Sequence, residues 1–350
     1  MLCSTNYNKF VVFYNMANCQ GKVEYIMKRI SVLMSTYNGE RYLAEQIKSI
    51  QTQEGENTLF SLQLFIRDDQ STDRTLEVIN KFSNITIIPN NGKNIGVKES
   101  FFTLLRKAPE SDLFFFSDQD DIWPTNKVKK FLEAYDLAGK ADKGNPMGIF
   151  SDLWVADSYG NPTGKKMSHV VGWPPKTDAY YLSWSHKITG AAFAINNEAK
   201  KMIETVTPEM CKEVNMHDSF IALLISITGR LIQIDDPLLY YRQHDNNVIG
   251  ANKKRNINLK IKSIFKLATR LQKDDLHAYE WIKDNQENFY VKPDIVEYFE
   301  NIYMMSTFDL NKRFRTWIKM LKYMMSSRLP FTTFYLYVLN IKPKNKFWEF

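Results

Sequence analysis

Cysteine is scarce in this chain: three in 350 residues, at Cys3, Cys19 and Cys211. An odd number so widely spaced matches no disulfide framework and no zinc site, and points to a reducing compartment. Long apolar runs are missing as well. The longest near the end, Phe331 to Ile341, is broken by Thr332, Thr333 and Asn340, short of the roughly 20 apolar residues that a membrane span needs. Val11-Val12-Phe13-Tyr14 is followed by Asn15 and Asn18 with no clear cleavage site, so no signal peptide is expected. A Gly-rich phosphate loop is also lacking. Gly160 to Lys165 (GNPTGK) is one residue short and has no Ser or Thr after Lys. No Ser-His-Asp or Cys-His pattern supplies a covalent nucleophile. There is no internal repeat and no low-complexity segment.

What is present is an ordinary globular composition, 44% hydrophobic and 24% charged. The charge is uneven. From Ala251 to Phe350 there are 19 Lys and Arg against 10 Asp and Glu, a net of +9, whereas the whole chain carries +7. Such a basic end suits nucleic acid or an anionic membrane surface, and no recognised nucleic-acid motif accompanies it. Within it Phe314, Trp317, Ile318, Leu321 and Met325 fall at helical spacing, with Lys312, Arg313, Arg315, Lys319 and Lys322 largely elsewhere on the wheel. That pattern fits a helix lying on an anionic membrane. It also fits a helix packed on the rest of the chain with a solvated basic side.

Strand and helix signals alternate from Arg29 onward. Ile30–Met34, Leu62–Arg67, Ile85–Ile88 and Leu113–Phe116 read as strands. Tyr42–Ile50, Leu76–Phe82 and Val97–Leu105 read as the helices between them. Continuous apolar strands separated by amphipathic helices predict an α/β fold with a mainly parallel sheet covered on both faces. Further on, Gly148–Ala156, Thr189–Ile195, Leu231–Ile234 and Leu238–Tyr241 resemble strands and His217–Thr228 a buried helix. Beyond Gly250 the texture is helical and basic. Three regions are therefore expected: residues 1–26 as an unassigned extension, with Met27 a candidate true start; 27–250 as the α/β domain; and 251–350 as a basic helical region.

In parallel sheets ligands bind outside the carboxyl ends of the strands, and the polar clusters sit there. Ser35-Thr36-Tyr37-Asn38 follows the first strand, Asp68-Asp69 the second and Asp118-Gln119-Asp120-Asp121 the fourth. Asp118, Asp120 and Asp121 repel one another unless a cation lies among them, and oxygen ligands suit Mg²⁺ or Mn²⁺. The same residues also fit an acidic loop capping the helix that starts near Asn126. A calcium loop is excluded by Trp123 and Lys129, where glycine and glutamate are required. Asp69 suits a base N–H or ribose hydroxyl and equally a turn and helix cap. Asp218 fits a helix N-cap as well as a catalytic carboxylate, and His244 fits a surface loop as well as a ligand.

Four segments in order sharpen this reading: Ile30 to Glu40 (ISVLMSTYNGE), Phe65 to Thr75 (FIRDDQSTDRT), Phe115 to Lys127 (FFSDQDDIWPTNK), and His217-Asp218-Ser219 followed by Leu238 to Gly250 (LLYYRQHDNNVIG). Together they resemble family 2 glycosyltransferases of the GT-A fold, in particular the rhamnosyltransferase-like branch of bacterial surface polysaccharide synthesis. The resemblance implies an inverting, divalent-metal-dependent transferase that uses a nucleotide-diphosphate sugar, such as dTDP-L-rhamnose, and a glycan or lipid-linked glycan acceptor. By the same resemblance Ser35, Tyr37 and Asp69 hold the nucleoside and Asp118 the ribose side. Asp120 and His244 bind Mg²⁺ or Mn²⁺, Arg242 lies near the diphosphate, Gly190 lines the acceptor pocket and Asp218 is the catalytic base. Relatives often have Glu-Asp where this chain has His217-Asp218. Processive synthases have Gln-x-x-Arg-Trp where it has Tyr241-Arg242-Gln243-His244. The implied place of action is the cytoplasm, peripheral to the inner face of the membrane. A nucleotidyltransferase or a non-catalytic membrane-bound scaffold of the same fold is the alternative.

Overall fold

The computed structural model describes residues 27–139, 144–244, 257–305, 308–324 and 333–339. The expected extension through residue 26 lies outside them, as do residues 245–250 of the last motif and Met325.

Among the described residues one sheet contains eight strands: β1 (Lys28–Thr36), β2 (Phe60–Asp68), β3 (Ile85–Ile87), β4 (Leu113–Ser117), β5 (Met147–Ala156), β6 (Pro162–Lys166), β7 (Phe193–Asn196) and β8 (Arg230–Arg242). The order is β3-β2-β1-β4-β7-β5-β6, with β8 on β5. β1 runs parallel to β2 and β4, β2 to β3, and β5 to β8. β7 is antiparallel to β4 and β5, and β6 to β5. The mainly parallel α/β sheet expected from the apolar runs is the one observed.

Period-two alternation explains why both faces are covered. Ile30, Val32 and Met34 of β1 and Phe115 of β4 join one apolar cluster, while Leu33, Phe114 and Phe116 join the other. The first cluster is closed by α1 (Leu43–Gln51), α2 (Thr75–Ile79) and, across α3 (Gly96–Lys107) in sequence, α4 (Lys127–Gly139). The second is closed by α3 and by most of the helices that follow α4. These are α5 (Met167–Val171), α6 (Ala179–Leu182), α7 (Asn197–Glu204), α8 (Pro208–Glu213), α9 (His217–Thr228), α10 (Ile257–Asn285), α11 (Pro293–Met304) and α12 (Leu310–Met324). Of these, α5 belongs to the first face through Met167, and the others contribute to the second. α9 is apolar nearly all round, as a helix buried between a sheet and further helices must be.

The helices after residue 256 are thus part of one core. Ala278, Trp281 and Ile282 of α10 and Phe299 of α11 are buried in the same cluster as Phe220 and Leu224 of α9. Trp281 Nε1 also donates to Thr205 Oγ1 at 2.8 Å. Truncating such a buried tryptophan costs about 3–5 kcal/mol, so α10 is held firmly in the core it shares with α9.

Two local expectations are corrected, and one strand has no counterpart among them. Thr189–Ile195 is not one strand: Gly190–Ala192 is a 3₁₀ turn closed by Ala192 N–H on Thr189 O, and β7 begins at Phe193. Leu231–Ile234 and Leu238–Tyr241 are one strand, β8, whose register on β5 jumps from Ser151↔Ile234 to Asp152↔Pro237. Asp235 and Asp236 form the bulge, and a bulge is where a sheet tolerates proline. β6 is a short, exposed edge strand of sequence PTGKK, which carries no apolar alternation to reveal it.

Candidate active site

The acidic loop leaves the end of β4 and is fixed from three sides. From α1, the Gln46 amide donates to Ser117 Oγ at 2.8 Å and to Asp118 O at 3.2 Å. Gln119 makes a two-way bridge to the loop after β1. Its Oε1 accepts Tyr37 N–H at 2.9 Å and its Nε2 donates to Tyr37 O at 3.0 Å. A side chain at Gly39 would run into that Gln119 amide, so the Asn38-Gly39 turn needs its glycine. Ser35 is buried at the end of β1, and the Tyr37 ring is half exposed beside the loop, free to stack. From the far end, Ile122 pairs with Tyr240 of β8, which brings the last motif alongside.

That pairing delivers Arg242 and His244. His244 Nε2 lies 2.8 Å from Asp120 Oδ2, and its ring stacks on Tyr42 at 5.0 Å. Arg242 is buried and its guanidinium is turned into the framework. It donates to Asp120 O at 2.7 Å, Ser158 O at 3.1 Å and Glu45 Oε2 at 2.6 Å, and lies over the Tyr42 ring at 4.7 Å. Its backbone N–H donates to Asp121 Oδ1 at 3.1 Å. Arg242 lies beside Asp120, and the contacts observed are those of a clamp on the acidic loop.

Asp218 enters from the other side, in the first turn of α9. Its Oδ2 accepts Gly190 N–H at 2.8 Å and its Oδ1 accepts Ser219 N–H at 2.7 Å. The Asp118 carboxyl is raised to about 7, by burial first and then by the charges of Asp120 and Asp218, with Lys127 opposing. Asp118, Asp120 and Asp218 therefore share one electrostatic field. Asp121 is pushed well above the usual carboxylate range by burial and by Asp120 and Asp118, and its Oδ2 has no partner. Lys127, over the Trp123 ring at 4.0 Å and donating to Ala191 O at 2.7 Å, is lowered to about 7 by burial.

Asp69 stands apart. It is buried in an ion pair with Arg67 at 2.5 Å, and its two oxygens accept Ile95 N–H at 2.8 Å and Gly96 N–H at 2.7 Å. It caps the start of α3, the helix after β3, with both of its oxygens engaged inside the protein.

Among the described residues no group of three or more His, Cys, Asp or Glu side chains is arranged to hold a cation alone. The Asp120–His244 pair still fits a Mg²⁺-like ion, which takes one or two protein ligands and fills its shell with substrate phosphate oxygens. Burial first, and then the neighbouring carboxylates, raise Asp118 and Asp121 beside the pair.

Several site residues were not singled out by sequence: Glu45, Gln46, Gln119 and Lys127 as supports, and His217. The His217 imidazole is buried between Phe101, at 4.1 Å, and Phe116, at 5.3 Å, with neither nitrogen bonded. Only its place beside Asp218 hinted at it.

Residues 31–187 match the glycosyl transferase family 2 model. The chain is 30% identical over 231 residues to the dTDP-rhamnosyl transferase RfbG of Shigella flexneri, covering 63% of this chain and 74% of that protein. The chain belongs to glycosyltransferase family 2. An uncharacterized glycosyltransferase of Nostoc sp. is 26% identical over 228 residues, 63% of this chain and 66% of its own length. In three dimensions this family 2 transferase resembles Staphylococcus aureus TarS 1-349 in complex with UDP-GlcNAc. The TM-score is 0.50 at 14% identity, covering 90% of this chain and 88% of that one. The fold is thus GT-A, as the four segments implied, and the protein is an enzyme of the glycosyltransferase class. No helix among the described residues is long and apolar enough to cross a membrane.

Proposed function

We propose that this transferase moves a sugar from a nucleotide-diphosphate donor to a bacterial surface-glycan acceptor with inversion, aided by Mg²⁺ or Mn²⁺. The observation that carries the proposal is the meeting of Asp218, fixed by Gly190 N–H, with the Asp118 and Asp120–His244 group in one field. A base and a diphosphate-binding site coupled through one field suit a single displacement.

Ser35, Tyr37 and Asp69 are assigned to the nucleoside, and Asp118 to the ribose side. Asp120 and His244 would hold the cation, which supplies charge neutralisation for the departing diphosphate. Arg242 keeps the acidic loop in place beneath it. Asp218 takes the proton of the acceptor hydroxyl, and Gly190 leaves room for that acceptor. L-rhamnose from dTDP-rhamnose is the proposed donor, supported by the similarity to RfbG. The proposed place of action is the cytoplasm at the inner face of the membrane. Support for that peripheral contact comes from the +9 carried by the last hundred residues.

The test is a panel of sugar nucleotides screened by thermal melting with and without Mn²⁺, followed by product analysis with the stabilising donor. A ligand bound to the native state raises the melting temperature. dTDP-rhamnose with Mn²⁺ is expected to stabilise most. If no sugar nucleotide stabilises the protein with either ion, the transferase reading fails.

A further inference from the structure

α12 packs on the molecule by one side only. Thr316 and Met320 are buried, the Tyr323 ring stacks on Tyr180 of α6 at 4.3 Å, and Trp317 Nε1 donates to Thr333 Oγ1 at 3.1 Å. These contacts fix the rotation of the helix about its axis. At about 100° per residue, the opposite side then carries two adjoining strips. Leu310, Phe314 and Ile318 form the first, at 57%, 44% and 48% exposure. Lys312, Arg315, Lys319 and Lys322 form the second, all exposed. α12 contains no Asp or Glu.

The five apolar positions legible in the sequence therefore do not act as one face. Trp317 turns inward, whereas Ile318, Leu310 and the outer part of Phe314, whose ring also meets those of Trp317 at 6.3 Å and Phe334 at 6.4 Å, stay open. A merely solvated helix has no reason to keep three large apolar side chains in a row at the surface. A protein partner would have to be both apolar along one strip and acidic along the next. A bilayer with anionic headgroups offers both at once: acyl chains for the first strip and phosphate charges for the second.

We propose that the outer side of α12 is the surface by which this enzyme docks on an anionic lipid membrane, Leu310, Phe314 and Ile318 entering the headgroup–acyl boundary and Lys312, Arg315, Lys319 and Lys322 meeting the lipid phosphates. This names the surface for the peripheral contact proposed above. It stands apart from the transfer chemistry: among the described elements α12 packs mainly on α6 and on residues 334–338. The geometry suits an acceptor held at the membrane: α12 leans on α6, which packs on α9, the helix that carries Asp218.

Co-sedimentation of the full chain with phosphatidylcholine–phosphatidylglycerol vesicles tests it. The wild type is expected to bind these vesicles at low salt, less at high salt, and pure phosphatidylcholine vesicles weakly. Leu310→Ser/Phe314→Ser/Ile318→Ser should lower binding at least about tenfold with the melting temperature and sugar-nucleotide binding unchanged. Phe314→Ser alone should give a smaller loss in the same direction and serves if the triple variant is unstable. Three results overturn the proposal: indifference of the wild type to the anionic vesicles, serine variants that bind as the wild type does, or a wild-type dimer that the serine changes convert to monomer. Donor binding measured in parallel separates this failure from failure of the transferase reading.

Discussion

The backbone N–H of Gly190 donates to Asp218 Oδ2 at 2.8 Å, and a side chain at Gly190 would come within 3.0 Å of His217 Nε2 and 3.3 Å of Asp218 Oδ2. One glycine thus orients the proposed base and keeps open the space in front of it. Gly190→Ala should push Asp218 aside or fill that space. Turnover is expected to fall about 10- to 100-fold, the scale of a small misplacement, with donor affinity intact. Overpacking at a buried turn costs about 1–3 kcal/mol, visible in denaturant melts. Full transfer activity in this variant would show that the acceptor does not pass Gly190.

His217 is a second consequence of the same geometry. Burial lowers its pKa to about 4, so the ring is neutral at pH 7 and holds two nitrogens without partners. Unpaired buried polar groups cost about 1–3 kcal/mol each. His217→Phe keeps a ring between Phe101 and Phe116 and removes that cost. The variant is expected to melt at a higher temperature while transferring sugar more slowly, because an acceptor hydroxyl loses its partner at Nε2. A variant that melts lower, or transfers at the normal rate, would leave His217 as packing.

The sheet was largely readable because its strands are continuous apolar runs, and the three polar clusters at the ends of β1, β2 and β4 marked one edge. The meeting of Asp120 with His244, 124 residues apart, came only through the order of the motifs; no local pattern carries it. Side-chain direction was not readable. Asp69 turns to α3 because the N–H groups of Ile95 and Gly96 arrive beside β2, a tertiary event. Arg242 turns inward because Glu45, Ser158 O and Asp120 O surround it. The basic average of the last hundred residues also hid two buried acids, Asp274 and Asp275 of α10.

Asp274 makes a pH prediction. Burial raises its carboxyl to about 8, with Asn215 N–H and Lys98 opposing and Asp218 adding. In the unfolded chain it titrates near about 3.9. Between those values the native state keeps a proton that the unfolded state has released. Its contribution to stability is complete below about pH 4 and is lost as pH rises through 8. Asp274→Asn mimics the protonated acid and removes this slope, so the variant should gain on the wild type as pH rises from about 5 to 8. Lys127 titrates oppositely, its lowered pKa adding stability with rising pH above about 7, but it is common to both proteins and cancels in the difference. Urea melts across the range measure it; a difference that stays flat with pH would mean Asp274 is ionised in the fold.

Asp120 and Asp218 should separate binding from chemistry. Asp120 lies against His244 in the proposed cation site, and Asp218 lies against Gly190. Asp120→Asn removes a charge from the cation site, so donor and metal affinity should fall together. Asp218→Asn should leave both nearly intact, because that side chain meets the acceptor. Its loss should appear in turnover, by about 10²–10⁴-fold, the usual worth of a positioned general base. The amide oxygen can still accept Gly190 N–H or Ser219 N–H, so the turn keeps a partner and gross unfolding is not expected. Donor affinity is read by calorimetric titration with and without a chelator, and turnover by product formation at saturating donor. If Asp218→Asn transfers at the wild-type rate, the base lies elsewhere. Asp152 is a poor substitute, since both its oxygens are taken by Leu153 N–H and by Ser168. Asp118, in the same field as Asp218 and raised to about 7, would then be the carboxylate to change next.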